Sequence, residues 1–255
     1  MSSIAPILTP ALLTAILKQP NLPRNSWYLI TATTLSILNR PDELAKVYTH
    51  AIEENLDTIG ALAKHEDQLH VSRRMREALV KASAVGGMPK TINALMALKT
   101  VTPEELLDTA SGGENPSSRY RDFYETTAPQ VLQRGQVFFD KLYGKIARRV
   151  MDQMDRSGSE DLGLMARLVY GYILSNTDVL SPAETSFVLI ASLIPQDVNP
   201  QLKGHLRGAL NGGASVDEVR AVRDVVIKIC EASGMQKLDS DAAGGWGWRN
   251  EVANV

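Results

Sequence analysis

Apolar residues recur along this chain at spacings of three and four, between polar residues of the kind that start and stop helices. Val219, Val222, Val226 and Ile229 form one such stripe. It opens on the capping box Ser215-Val216-Asp217-Glu218 and closes at Gly234. In a capping box the serine hydroxyl and the acid three residues on satisfy two orphan amides of the first turn. Ser181-Pro182-Ala183-Glu184 and Thr102-Pro103-Glu104-Glu105 repeat the device with proline at the first helical position, so a helix is expected to start at each. No stretch alternates with the two-residue period of a strand between hairpin turns. The pattern predicts an all-α fold.

An internal repeat runs through the pattern. Arg76-Glu77, Lys81, Gly87-Met88 and Lys90 return as Arg223-Asp224, Lys228, Gly234-Met235 and Lys237, every pair 147 positions apart. Upstream, Pro23 and Pro182 open similar apolar runs 159 positions apart. The first copy therefore carries about a dozen extra residues, expected among Asn55 to Val71, and the chain reads as a duplicated helical unit. The expected organisation is an N-terminal repeat over 1–110, linking helices over 111–175, a C-terminal repeat over 176–239 and a tail over 240–255. Residues 111–118 are rich in Gly, Ser, Asn and Pro and read as a loop. The tail, with Gly244-Gly245-Trp246-Gly247-Trp248, is a poor core segment, either mobile or docked on a partner.

Composition narrows the function classes. At 255 residues the chain can bury a substantial core. Its net charge of −2 gives no reason to expect nucleic acid or an anionic membrane as partner. The densest basic run, Arg73, Arg74 and Arg76, reads as a solvated helix face. The apolar run from Trp27 to Leu38 is too short to span a bilayer. Met1 to Pro23 matches neither a secretory signal nor an Arg-rich transit peptide. Ala253-Asn254-Val255 is not an address of the Ser-Lys-Leu type. Cytoplasmic residence is the expectation; a peroxisome or mitochondrion reached without a recognisable signal is the alternative. Cys230 is the single cysteine, so no dithiol centre forms within the chain; it lies on an inward helix face and reads as an inert buried thiol. His65-Glu66-Asp67 and His70, like His50, read as polar surface, and no metal or other cofactor is expected.

Leu180 to Met235 carries the candidate chemistry. A capped helix through Phe187-Val188-Leu189-Ile190 is followed by a turn between Pro195 and Pro200. A second helix then holds Leu202, His205, Leu206, Ala209 and Leu210 and stops at Gly212-Gly213. His205 shares the apolar stripe, so it should face inward. The run from Gln201 to Val219, a leucine, a histidine three residues on, a small-residue helix ending in glycine and a capped helix, resembles the core of the carboxymuconolactone decarboxylase / alkylhydroperoxidase D-like family. The likeness extends to Arg134–Gly144, Tyr170-Gly171 and, counting the first copy, Arg76 to Leu98, about two thirds of the chain.

The resemblance implies the helical fold of that family and a homo-oligomer. The family's peroxidase branch uses a Glu-x11-Cys-x2-Cys-x3-His relay, in which a thiolate attacks peroxide and a second cysteine resolves the intermediate. Anchored on His205, the relay positions fall on Ser186, Val198 and Gln201, so dithiol peroxidase chemistry is excluded. Glu184 lies nearby but is the acid of the Ser181 capping box. The decarboxylase branch implies a different use of the histidine. A desolvated, neutral His205 would carry protons on a small carboxylic or lactone substrate. Arg207, Ser186 and Gln201 are candidates for holding it, and Tyr170 and Tyr172 for donating to an oxyanion. Two classes stay open: a cofactor-independent lyase or isomerase using His205, and a catalytically inactive family member that binds small molecules or assembles.

Overall fold

The computed structural model describes residues 5–54, 61–108, 117–239, 241 and 243–255. They are helical almost throughout. In chain order the helices are α1 (Pro10–Leu17), α2 (Trp27–Ile37), α3 (Leu44–Glu54), α4 (Ala61–Gly86) and α5 (Met88–Val101). Then come α6 (Ser118–Tyr124), α7 (Ala128–Tyr143), α8 (Ala147–Asp155) and α9 (Asp161–Leu168), which continues into a π-helical segment, Val169–Leu174. The last three are α10 (Pro182–Leu193), α11 (Asn199–Asn211) and α12 (Val216–Ala232). Two two-residue strands, β1 (Gln236–Lys237) and β2 (Gly247–Trp248), pair in parallel near the C-terminus. The all-α expectation is met.

The centre is built from helices that sequence patterning marks as apolar on every side. All eleven residues of α2 are buried, as are Thr185 to Leu193 of α10. Helices buried all round belong at the middle of a fold. Here α2 and α10 pack on each other, and each also packs on α4 and α12. Two of their buried hydroxyls are satisfied within the helix in the same way: Thr34 donates to Ile30 O and Ser192 to Val188 O, both at 2.8 Å.

Those two bonds lie 158 positions apart, and the offset persists. Asn39 and Asp197 both turn left-handed at φ 56°. Leu44, Val47, Tyr48 and Ala51 of α3 are buried, and so are Leu202, His205, Leu206 and Ala209 of α11. Further on the offset is 147, as the sequence repeat has it. Met75, Ala78, Leu79 and Ala82 of α4 match Val222, Val225, Val226 and Ile229 of α12, all buried. Gly87 and Gly234 end the two helices at φ 84° and 92°. The duplication is thus written in the backbone, α2–α3–α4 against α10–α11–α12. The first unit carries eleven more residues between its second and third helices, the difference of the two offsets; part of that stretch, 55–60, lies outside the described residues.

Beyond Gly87 and Gly234 the units diverge. The first continues as α5, whose Lys90 donates to Ile37 O at the end of α2 at 2.7 Å. The second continues as the tail, whose buried Trp248 donates its indole N–H to Ile194 O just past α10 at 2.8 Å. Arg223 fastens the tail further through Val252 O and Ala253 O, and Asn199 accepts from Ala253 N–H. The segment that reads as poor core therefore docks on the chain's own surface. α7 and α8 with the π segment form a second apolar cluster around Phe138, Phe139, Leu142, Met151 and Tyr170.

Two local expectations are corrected. Thr102 does not cap a long helix: α5 ends at Val101, only a single 3-10 turn over Glu104–Leu106 follows, and the Thr102 hydroxyl donates back to Leu98 O. The basic run is not simply a solvated face. Arg74 is buried and bonds Tyr28, Asn25 O and Glu184, while Arg73 and Arg76 pair with Asp108. The capping boxes at Ser181 and Ser215 form as expected.

Candidate functional site

His205 lies inward on α11, as its stripe predicts, and is 5% exposed. Its Nδ1 is buried without a hydrogen-bond partner, and its ring meets Tyr143 edge-on at 6.0 Å. Burial alone pulls its pKa down to about 4, so the imidazole is neutral at pH 7. No carboxylate sits beside it to oppose the shift. The equivalent residue in the first unit is Val47, so His205 occupies a place that elsewhere in this fold is filled by an aliphatic side chain.

Outside the His205 ring is a groove of about 370 Å³ between α11 and the α7–α8 corner. Its apolar wall is Leu142, Ile146 and Val150, and its polar side is Gln201, Lys203 and Arg207. Tyr143 lines it too, with its hydroxyl 3.1 Å from that of Tyr170. Gly204 and Gly208 let the two helices approach: a Cβ on Gly204 would lie 3.1 Å from Tyr143 Cε1, and one on Gly208 would overlap Leu142. His205 is not among the groove-lining residues.

The other candidates scatter. Arg207 and Gln201 line the groove and are exposed. Tyr170 is buried behind Tyr143 and reaches the groove only through that hydroxyl contact. Burial raises the pKa of both phenols, so each stays protonated at neutral pH. Tyr172 stacks on Phe123 at 4.8 Å, well away on the π segment. Ser186 is sealed in α10 and donates to Pro182 O. The structure thus gathers Arg207, Gln201 and, at one remove, Tyr170, and leaves Ser186 and Tyr172 outside. Cys230 is fully buried, and burial pushes its thiol pKa up, as expected of an inert cysteine. Glu184 keeps its capping role and adds an ion pair to Arg74; burial pushes its carboxyl up, but the guanidinium and Ser181 outweigh it and hold it low.

Sequence reasoning missed a second polar centre. Lys81 is fully buried on α4 and donates to Leu174 O and Asn176 O, both at 2.7 Å. Arg119 donates to Ile173 O and forks onto Glu77. Arg134 donates to Gly171 O and Ser175 and forks onto Asp122. Three cations therefore receive the carbonyls at the end of the π segment, where the helix leaves acceptors unpaired. Burial draws the Lys81 pKa down to about 8, with Glu77 opposing. The one available signal was the repeat, which marks Glu77 and Lys81 without saying what they bind.

The fold and these two centres define a duplicated all-α protein with a neutral, buried histidine, a small amphipathic groove and no cysteine pair. No family model matches the sequence. Peroxisomal protein 2 of Schizosaccharomyces pombe is 35% identical over 209 residues, covering 82% of this chain and 87% of that protein. Peroxisomal protein 2 of Saccharomyces cerevisiae is 32% identical over 254 residues, covering 83% and 90%. The chain belongs to the Peroxisomal protein 2 family. Among the described residues, no helix is long and apolar enough to cross a membrane.

Proposed function

We propose that this chain is a peroxisome-associated protein of the carboxymuconolactone decarboxylase-like class, without the cysteine pair, that binds a small carboxylic or lactone compound in the α7–α11 groove. The observation that carries the reading is the groove's division into an aliphatic wall and a side bearing Lys203, Arg207 and Gln201. That division suits a compact molecule with one apolar face and a carboxylate, which a guanidinium holds by paired hydrogen bonds. The two relatives are named as peroxisomal proteins, which favours the peroxisome over the cytoplasm. Homo-oligomer formation fits the same reading, because Leu162, Leu164, Met165 and Leu168 leave α9 with exposed apolar surface.

In this reading the protein binds rather than turns over its ligand, since His205 does not line the groove. A cofactor-independent lyase or isomerase is the second reading, favoured by the unpartnered Nδ1 of His205. A buried nitrogen with no partner is a costly feature in a core and an available base if the Tyr143 ring moves aside. Calorimetric titration with short dicarboxylates and lactone acids tests both. Binding weakened about tenfold by Arg207→Ala and unchanged by His205→Leu supports the binding reading. Turnover lost in His205→Leu would establish the second. Absence of binding by any of these acids would overturn the groove assignment.

A further inference from the structure

We propose that the groove between α1 and α3 is a second binding site, for a single straight-chain alkyl carboxylate. It encloses about 390 Å³. Leu8, Leu13 and Leu17, with Pro6 and Pro10, make its floor, and Lys46 and His50 of α3 stand at its polar rim. Leu17 is left 42% exposed there.

The duplication supplies an independent reason to read this as a site. At the offset of 158 that relates α3 to α11, Lys46 and His50 correspond to Gly204 and Gly208. The α1–α3 groove therefore lies on the same face of the same helix as the α7–α11 groove, in the other unit. In the second unit, Leu142 and Tyr143 close down on the glycines. In the first, bulky polar residues replace those glycines and a short, mostly apolar helix, α1, lines the groove. The two grooves are of similar size.

The chemistry of the floor and rim sets the ligand. From Pro10 to Leu17 the floor follows about 10 Å of helix, enough for a medium-length alkyl chain. The Lys46 side chain is 47% exposed, and its ammonium bonds Glu43 at 3.0 Å. Glu43 takes Arg40 and Ile7 N–H on Oε1 and Lys46 on Oε2; the ammonium has three donors, so it can keep that bond and offer another to a ligand carboxylate. His50 commits Nδ1 to Lys46 O, a carbonyl that can only accept, and keeps Nε2 as a further polar atom at the rim. This assignment does not depend on what the α7–α11 groove binds.

The test is calorimetry on the full chain with a homologous series of straight-chain monocarboxylates and the matching alcohols. Affinity should rise about fourfold per added methylene and then level off once the floor is covered. Lys46→Glu should weaken the carboxylates about tenfold and leave the alcohols unchanged. Leu17→Asp, at a half-exposed position that leaves the core intact, should abolish the chain-length dependence. No binding, no dependence on chain length, or an equal loss for both head groups in Lys46→Glu would each overturn the proposal.

Discussion

α3 and α11 occupy the same place in the two halves of this fold, yet one buries Val47 where the other buries His205. Their neighbours match closely: Leu44 against Leu202, Tyr48 against Leu206, Ala51 against Ala209. A position filled by valine in one unit has no architectural need for an imidazole in the other. His205 adds desolvation of two ring nitrogens and, at Nδ1, no hydrogen bond in return. The buried Lys81 is the opposite case. It too is desolvated, but two carbonyls and the Glu77–Arg119 pair surround it, so its charge is accounted for by partners. One buried polar group is structural by its contacts; the other is not explained by any contact it makes.

The largest effect should come from removing the accounted-for group. Lys81→Met strips Leu174 O and Asn176 O of their donor and should lower stability by about 3–5 kcal/mol in urea unfolding. A loss below about 1 kcal/mol would show that the three-cation cage does not hold the π segment.

His205 should act in the other direction and mostly through pH. Its folded pKa of about 4 lies below the ordinary 6.5, so the unfolded chain binds the proton first as pH falls. The neutral ring therefore adds no pH penalty above about 6.5, and stability is lost between there and about 4, by roughly 3 kcal/mol in total. His205→Leu should remove that slope. At pH 7 it should also raise stability by about 1 kcal/mol, because it replaces an unpartnered buried nitrogen with a side chain of similar volume. Destabilisation at pH 7 would mean that the comparison with Val47 misleads and that the imidazole makes a needed bond.

The capping boxes offer a finer comparison. Glu184 is held by Arg74 as well as by Ser181, whereas Glu218 caps with Ser215 alone. Ser215→Ala should cost about 1 kcal/mol, and Ser181→Ala somewhat less, by thermal unfolding. The smallest expected effect is on peroxide chemistry. With Val198 and Gln201 at the relay positions, dithiol-driven hydroperoxide reduction should be absent, and Cys230→Ser should change nothing in a peroxide-consumption assay.

What was legible in the sequence was whatever is local. The stripe of Val219, Val222, Val226 and Ile229 and two of the three proline or serine caps describe helices that tertiary packing had no reason to override. The inward side of His205 followed from its own helix for the same reason. Thr102 failed because the sequence after its box offers only Leu106 and Leu107 before the Gly- and Ser-rich run from Ser111, too little apolar face to hold a helix. The long-range pairings were invisible. Arg74 meets Glu184 across 110 residues, and Lys81 meets Leu174 across 93. Whether an arginine run is surface or core depends on such partners, not on its neighbours in sequence. The groove has the same origin: Arg207 and Tyr143 share it only because glycines at 204 and 208 let α7 close in.

The central claim is that His205 is an uncharged core histidine sealed behind the groove rather than a base open to it. The most direct measurement is an NMR titration of its imidazole in the folded protein. The account predicts a resonance that stays in its neutral form from pH 7 down to about pH 4 and that does not shift its midpoint when a groove-bound acid is added. A midpoint at or above 6.5, or one that rises on adding the acid, would contradict it and place the ring in contact with the ligand.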